Sequence, residues 1–156
     1  MIDLLKIIDK NVASVFLTMA KLVAIPGVGD PQATRPSMLK GVTGSVSLSG
    51  AASGVVYTGF SQKLAEAVAT RVLGAGAHPD EVVSDVVGEF TNIITGNLKS
   101  ILCDEGYPCQ LSIPTVLRGG EISVVANSAP ICLRNTYFFE EFQEELDVLV
   151  FAKLEK

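Results

Sequence analysis

The chain has 156 residues, 48% hydrophobic and 19% charged, with a formal net charge of −5. That length suits a single domain, 1–156, with its own core and no need of disulfides or metals. The acidic balance and the lack of a Lys/Arg cluster exclude a nucleic-acid backbone or an anionic membrane as partner. A mean hydropathy of +0.41 predicts a homodimer interface that covers apolar surface a monomer leaves exposed.

The first predicted element is an amphipathic helix over Asp3 to Val23, because Leu4, Leu5, Ile8, Val12, Val15, Phe16, Met19 and Leu22 recur at three- and four-residue steps. Asp3, Lys6, Asp9 and Lys10 break the apolar N-terminal run, and no small-residue cleavage site follows. No uncharged stretch is long enough to span a bilayer, so the expected location is cytoplasmic. Pro26, Gly27, Gly29 and Pro31 end the helix and open a loop that reaches Pro36.

Gly41 to Ser49 alternates apolar with small polar residues and predicts a half-buried strand; Gly50 to Gly54 predicts a turn and Val55 to Phe60 the returning arm of a hairpin. Ser61 is an N-cap for the next helix, whose buried stripe is Leu64, Ala65, Val68, Ala69, Val72 and Leu73, and Gly74 and Gly76 end it. A long helix starts at Pro79, with Asp80 and Glu81 at its positive end, and runs to Cys103. Strands are predicted over Cys109 to Ile113, Glu121 to Ala126, Ile131 to Phe138 and Glu145 to Ala152, before a frayed tail from Lys153 to Lys156. Regular βα alternation and a Gly-rich phosphate loop are both missing. The predicted class is therefore α+β, an antiparallel-rich sheet packed with long amphipathic helices.

The long helix carries the functional signal. Winding it at about 100° per residue gathers Val82, Val83, Val86, Val87, Phe90, Ile93, Ile94 and Leu98 on one side, to pack on the sheet. Asp85, Glu89, Asn92, Gly96 and Lys99 gather on the other, with Gly88 at its margin and Thr95 toward its polar edge. An ordinary solvated face uses Ala, Glu, Lys, Gln and Arg. Two glycines there, each costing about 1 kcal/mol against Ala, point to close approach by another surface, into which Glu89 and Asn92 reach.

Other chemistry finds little support. His78 is the only histidine, sits before Pro79 at a helix start, and reads as a loop or capping residue; no ligand cluster surrounds it, and no Ser/His/Asp set is available without it. Cys103, Cys109 and Cys132 form no CxxC pair and read as reduced, mostly buried thiols. Tyr137, Phe138 and Phe139 form an aromatic run whose outward members, with Ile131 and Leu133, are candidates for the dimer interface.

The helix resembles the CheX type of the CheC/CheX/FliY group of chemotaxis phosphatases. That group carries an Asp/Ser-x3-Glu-x2-Asn signature on a long helix and a proline further on. Here the signature is Asp85-Val-Val-Gly-Glu89-Phe-Thr-Asn92, with Pro114 in Leu-Ser-Ile-Pro-Thr-Val. The likeness runs from about residue 38 to the end, and the first helix matches in character and position. CheC-type members can carry a second signature on that helix. Here the residues three on from Asp3 and Asp9 are Lys6 and Val12, so one site is expected, as in the CheX type.

The resemblance implies hydrolysis of the phospho-aspartate of a CheY-like receiver by an in-line water. It makes Asn92 the residue that orients the water and Glu89 the partner of the receiver's lysine. Asp85, Gly88, Thr95, Gly96 and Lys99 are the expected partner-binding surroundings. No cofactor is expected on this chain; Mg²⁺ is expected on the receiver. The alternative is a non-catalytic scaffold of the same fold that binds a receiver or a motor-switch partner.

Overall fold

The computed structural model describes residues 2–33, 37–125 and 129–156. Three helices and seven strands follow in the order α1 (Leu4–Ala20), β1 (Ile25–Pro26), β2 (Ser37–Gly50), β3 (Ala52–Phe60), α2 (Gln62–Leu73), α3 (Asp80–Asp104), β4 (Cys109–Leu111), β5 (Thr115–Val124), β6 (Ile131–Phe139) and β7 (Glu144–Leu154). The strands form one antiparallel sheet in the order β1-β6-β7-β3-β2-β4, with β5 also paired to β2. This is the α+β arrangement expected from the order of elements.

Period-2 alternation decides which side of the sheet the helices cover. Val42, Val46 and Leu48 of β2, Val56 and Phe60 of β3, and Leu146, Val148 and Val150 of β7 point to one face and are buried there. Against them lie Ile8, Val12 and Phe16 of α1, Leu64 and Val68 of α2, and Phe90 and Ile94 of α3. Phe16 is the hub, its ring centroid 4.9 Å from both Phe90 and Phe139 and 6.1 Å from Phe60. Such aromatic contacts add about 0.5–1.5 kcal/mol each beyond burial alone.

The opposite face has its own smaller apolar cluster. Leu149, Tyr57 and Phe151 meet Leu39, Ile122 and Val124 from the far ends of β2 and β5. A bulge between Lys40 and Val42 bends β2, with Gly41 at φ +84° against the Phe60 carbonyl. A side chain at Gly41 would meet that carbonyl as well as the unfavourable dihedral.

Several boundaries differ from expectation. The first helix stops at Ala20, where Lys21 takes a left-handed conformation, and Ile25–Pro26 forms a short edge strand on β6 instead of loop. Gly54 lies inside β3, opposite Leu48 and Ala152, so the hairpin turn is tighter than Gly50 to Gly54. Pro79 precedes the long helix at its N-cap. β4 stops at Leu111, short of Ile113, while β5 begins at Thr115, far upstream of Glu121, and runs through Gly119 and Gly120. The tail is no free end: β7 runs to Leu154, and Glu155 N–H donates to Ala51 O at 2.7 Å. The expected loop end at Pro36 and strand end at Ala126 lie outside the described residues.

Leu133 and Ile131 correct a further expectation. Leu133 is buried beside Tyr137 and Phe139 on the helix-covered face, and Ile131, of the same alternation, packs against that core, so neither is free for a dimer contact.

Candidate functional site

The long helix α3 is clamped on two sides. Toward the sheet, Thr91 and Thr95 are fully buried, and each hydroxyl donates to a carbonyl one turn back, Val87 O at 2.8 Å and Thr91 O at 2.7 Å. With its proton so used, Thr91 accepts from Thr58 of β3 at 2.6 Å. Gly44 of β2 makes this approach possible: a Cβ there would overlap the Thr91 hydroxyl oxygen. Toward α1, Asn11 donates to Ile94 O at 2.7 Å and accepts from Asn97 at 3.0 Å. Asn97 therefore ties two helices together.

What remains outward is a narrow ridge. Asp85 and Glu89 are exposed on it; Asn92, Gly96 and Lys99 are half-buried. Helical winding at about 100° per residue sets Asn92 and Glu89 about 60° apart on one face, Asn92 leaning toward Gly88 and Glu89 toward Val82. The carboxylate and the carboxamide thus project from the same crest one turn apart.

The margin of α3 at Gly88 is bordered by the end of the β4–β5 connection and the start of β5. A Cβ at Gly88 would lie 3.3 Å from Val116 Cγ2 and 3.7 Å from Pro114 Cβ. Gly88 is itself buried. Its small size therefore admits this chain's own Pro114 and Val116, and the expectation that it opens the helix to a partner is corrected. Thr95 is corrected likewise: fully buried against the sheet, it has no surface to offer. Gly96 faces more open space: a Cβ there would have Leu111 Cδ1, 3.9 Å away, as its nearest neighbour. Gly88→Leu should accordingly destabilise the fold by about 1–3 kcal/mol through overpacking. Gly96→Leu should cost far less, and thermal unfolding of the two variants distinguishes them.

Two further residues hold this border, and neither stood out in the sequence. Arg118 of β5 reaches across α3, donating to Ser84 Oγ at 2.5 Å, Asp80 O at 2.6 Å and Gln62 Oε1 at 3.2 Å, with Asp80 Oδ1 at 3.6 Å. It fastens β5 to the first turns of α3 and to α2. Ser112 bonds both ways with Ser47 of β2, at 2.9 Å each, which sets Ile113 and Pro114 beside the ridge. A lone arginine in a strand and a serine before a proline have no spacing pattern to betray them; only the pairing of β2 with β4 and β5 brings them here.

The other polar groups serve the fold. Asp9 accepts from Tyr137 at 2.6 Å and from Asn135 at 2.8 Å, so α1's carboxylate is engaged in joining α1 to β6. Burial, with that hydrogen bond added, pushes the Tyr137 phenol far up, and it stays protonated. His78 lies 2.9 Å from Gly74 O through Nε2, closing the α2–α3 loop as its capping role requires. Burial, then the neighbouring Cys103, raises the Cys109 thiol, which keeps it un-ionised and unreactive. All three cysteines are free. Among the described residues no group of three or more His, Cys, Asp or Glu is placed to hold a metal, and no helix is long and apolar enough to cross a membrane.

Comparison with known families matches residues 42–135 to the family described as chemotaxis phosphatase CheX, a span that includes the β2–β3 hairpin, the ridge and Pro114. The chain belongs to the CheX family. No curated protein matches the sequence. Among solved structures, a CheX chemotaxis protein from Desulfovibrio desulfuricans is 23% identical with a TM-score of 0.85, covering 97% of this chain and 100% of its own. CheX from Vibrio vulnificus is 21% identical at a TM-score of 0.85, over 97% and 100%. The CheX of a CheX–CheY–BeF3–Mg²⁺ complex from Borrelia burgdorferi is 20% identical at a TM-score of 0.78, over 98% and 99%. At these identities the likeness shows a shared fold, now extending over α1, which lies outside the family match.

Proposed function

We propose that this CheX-family chain, acting as one domain over 1–156, dephosphorylates a CheY-like receiver and does so with the α3 ridge. The observation that carries this reading is the placement of Glu89 and Asn92 one turn apart on the same outward crest, held from behind by Thr91, Thr95 and Asn11. A rigid helix that presents one carboxylate and one carboxamide is suited to enter a partner's active site. The CheX in the Borrelia burgdorferi complex was crystallised with CheY, BeF3 and Mg²⁺, a partner class that fits the same role here.

The chemistry divides between two proteins. Phosphoryl transfer to water needs chiefly positioning and charge stabilisation. The receiver supplies the phospho-aspartate, the Mg²⁺ and a lysine; this chain's described residues offer no ligand set for the metal. Asn92 holds the water: its carboxamide oxygen accepts a hydrogen bond while its NH₂ donates, so it orients the nucleophile without titrating. Glu89 pairs with the receiver's lysine and fixes register, as a charge-assisted contact that strengthens on desolvation. Asp85 and Lys99 lie on the same crest, toward the N-terminal and C-terminal ends of the docking area. A receiver partner of this kind works in the cytoplasm, which is where we place the chain.

Phosphate release from a phosphorylated receiver tests the reading directly. Hydrolysis faster than the receiver's own supports it; a protein that binds the receiver without accelerating release is a scaffold. A homodimer in solution, expected from the mean hydropathy, is part of this reading, and sedimentation as a monomer at micromolar concentration would overturn that.

A further inference from the structure

The buried stripe of α2 is longer than the chain that covers it. Leu64, Ala65, Val68 and Ala69 are buried, but Val72 and Leu73, next in the same stripe, are 38% and 50% exposed. Sequence periodicity places them in the core; the structure leaves them facing a depression of about 370 Å³. Its lining also includes Met19 of α1 and Val82, Val86 and Phe90 of α3. Among the described residues, the charged groups on its wall are Asp85 and Glu89 alone. It therefore opens on the Glu89 side of the ridge, while Pro114 and Val116 close the other margin at Gly88.

We propose that this depression is the second half of the docking surface, a seat for an apolar side chain of the receiver that lies beside the receiver's active-site lysine. The inference rests on the phosphatase reading for its partner. Continuity selects that occupant: Glu89 belongs at once to the depression and to the ridge, so a partner that engages Glu89 overlies Val72 and Leu73. Charge selects it too. An apolar floor with a purely acidic wall accepts an apolar group flanked by a cation. A second copy of this chain is a poor fit, because a two-fold contact here would bring Asp85 and Glu89 of both protomers together, and like charges facing each other in an interface oppose association. Covering Val72 and Leu73 completes the stripe and removes apolar surface from water, which favours the docked state.

The test is titration of wild type, Leu73→Asp and Leu73→Met with a receiver loaded with beryllofluoride and Mg²⁺, with sedimentation of each protein alone. Leu73 is half-exposed, so its substitution leaves the fold in place, and a thermal melt verifies this. Leu73→Asp is expected to weaken binding about tenfold or more, as a charge replaces an apolar anchor, while Leu73→Met binds as wild type. Wild-type affinity in Leu73→Asp overturns the proposal, as does a change in self-association without a change in receiver binding. If wild type accelerates phosphate release and Leu73→Asp binds normally, the seat fails and the phosphatase reading stands. If wild type binds without accelerating release and Leu73→Asp binds weakly, the catalytic reading fails and the seat stands. Wild type that does not bind the loaded receiver overturns both.

Discussion

Asn92→Ala should fold, bind a phosphorylated receiver, and lose about 100-fold or more of the acceleration of phosphate release. Three features lead to this expectation. Asn92 is half-buried on the crest and, among the described residues, its side chain makes no hydrogen bond, in contrast to Asn11 and Asn97, which bond to each other. Truncation at Cβ therefore removes a carboxamide and leaves the helix intact, with Ala's higher helix propensity in its favour. The receiver keeps its own Mg²⁺ and lysine, so the residual rate falls toward the receiver's unaided hydrolysis and no lower. The decisive comparison is of kcat with KM. Loss in kcat at nearly constant KM marks a group that acts in the transition state; an unchanged kcat removes the water-orienting role from Asn92.

Glu89→Ala should reduce both docking and turnover. Glu89 is exposed in the free protein, so its pairing is realised only when the receiver covers it. Removing one partner of a charge pair that becomes desolvated costs roughly 2–5 kcal/mol, because the lysine is left buried and unpaired. That is more than about a tenfold loss in kcat/KM. Glu89→Gln separates charge from shape: a hydrogen bond to the lysine survives but the ion pair does not, so an intermediate rate is expected. Rising salt should weaken wild-type docking more than that of either variant, since only wild type carries the charge being screened. Equal salt dependence in all three would falsify the ion-pair role.

The same two residues show how much of the site was readable. Glu89 and Asn92 were legible because helical winding alone separates them from Val83, Val86, Val87, Phe90 and Ile94, and the structure keeps that separation. Thr91 and Thr95 were not. A threonine in a helix carries no mark that says whether it faces water or sheet, and both bury because their hydroxyls bond back to carbonyls one turn earlier. Gly88 stood out in the sequence for the right physical reason, close approach, but the approaching surface belongs to the same chain. Nothing local in Pro114 or Val116 says that β5 will pair with β2 and bring them there.

Val72 and Leu73 show the same limit from the other direction. Their periodicity correctly marks a stripe that seeks cover, and cover within the chain ends one turn early. Amphipathic spacing reports what a helix can bury, not how much neighbouring chain exists to bury it.

By itself, then, the amino-acid order determined the elements with strong periods: α1, α2, α3, the β2–β3 hairpin, and the crest bearing Asp85, Glu89 and Asn92. Periods of 3.6 and 2 follow from backbone geometry and survive any tertiary arrangement. Only the tertiary structure decided which margins of α3 are closed. Pairing of β2 with β4 and β5, fastened by Ser112 and Arg118, closes the margin at Gly88 and leaves Asn92 on the open crest. The short reach of α1 and α2 leaves the Glu89 flank open. Those contacts join residues far apart in the chain, and long-range pairing leaves no local trace.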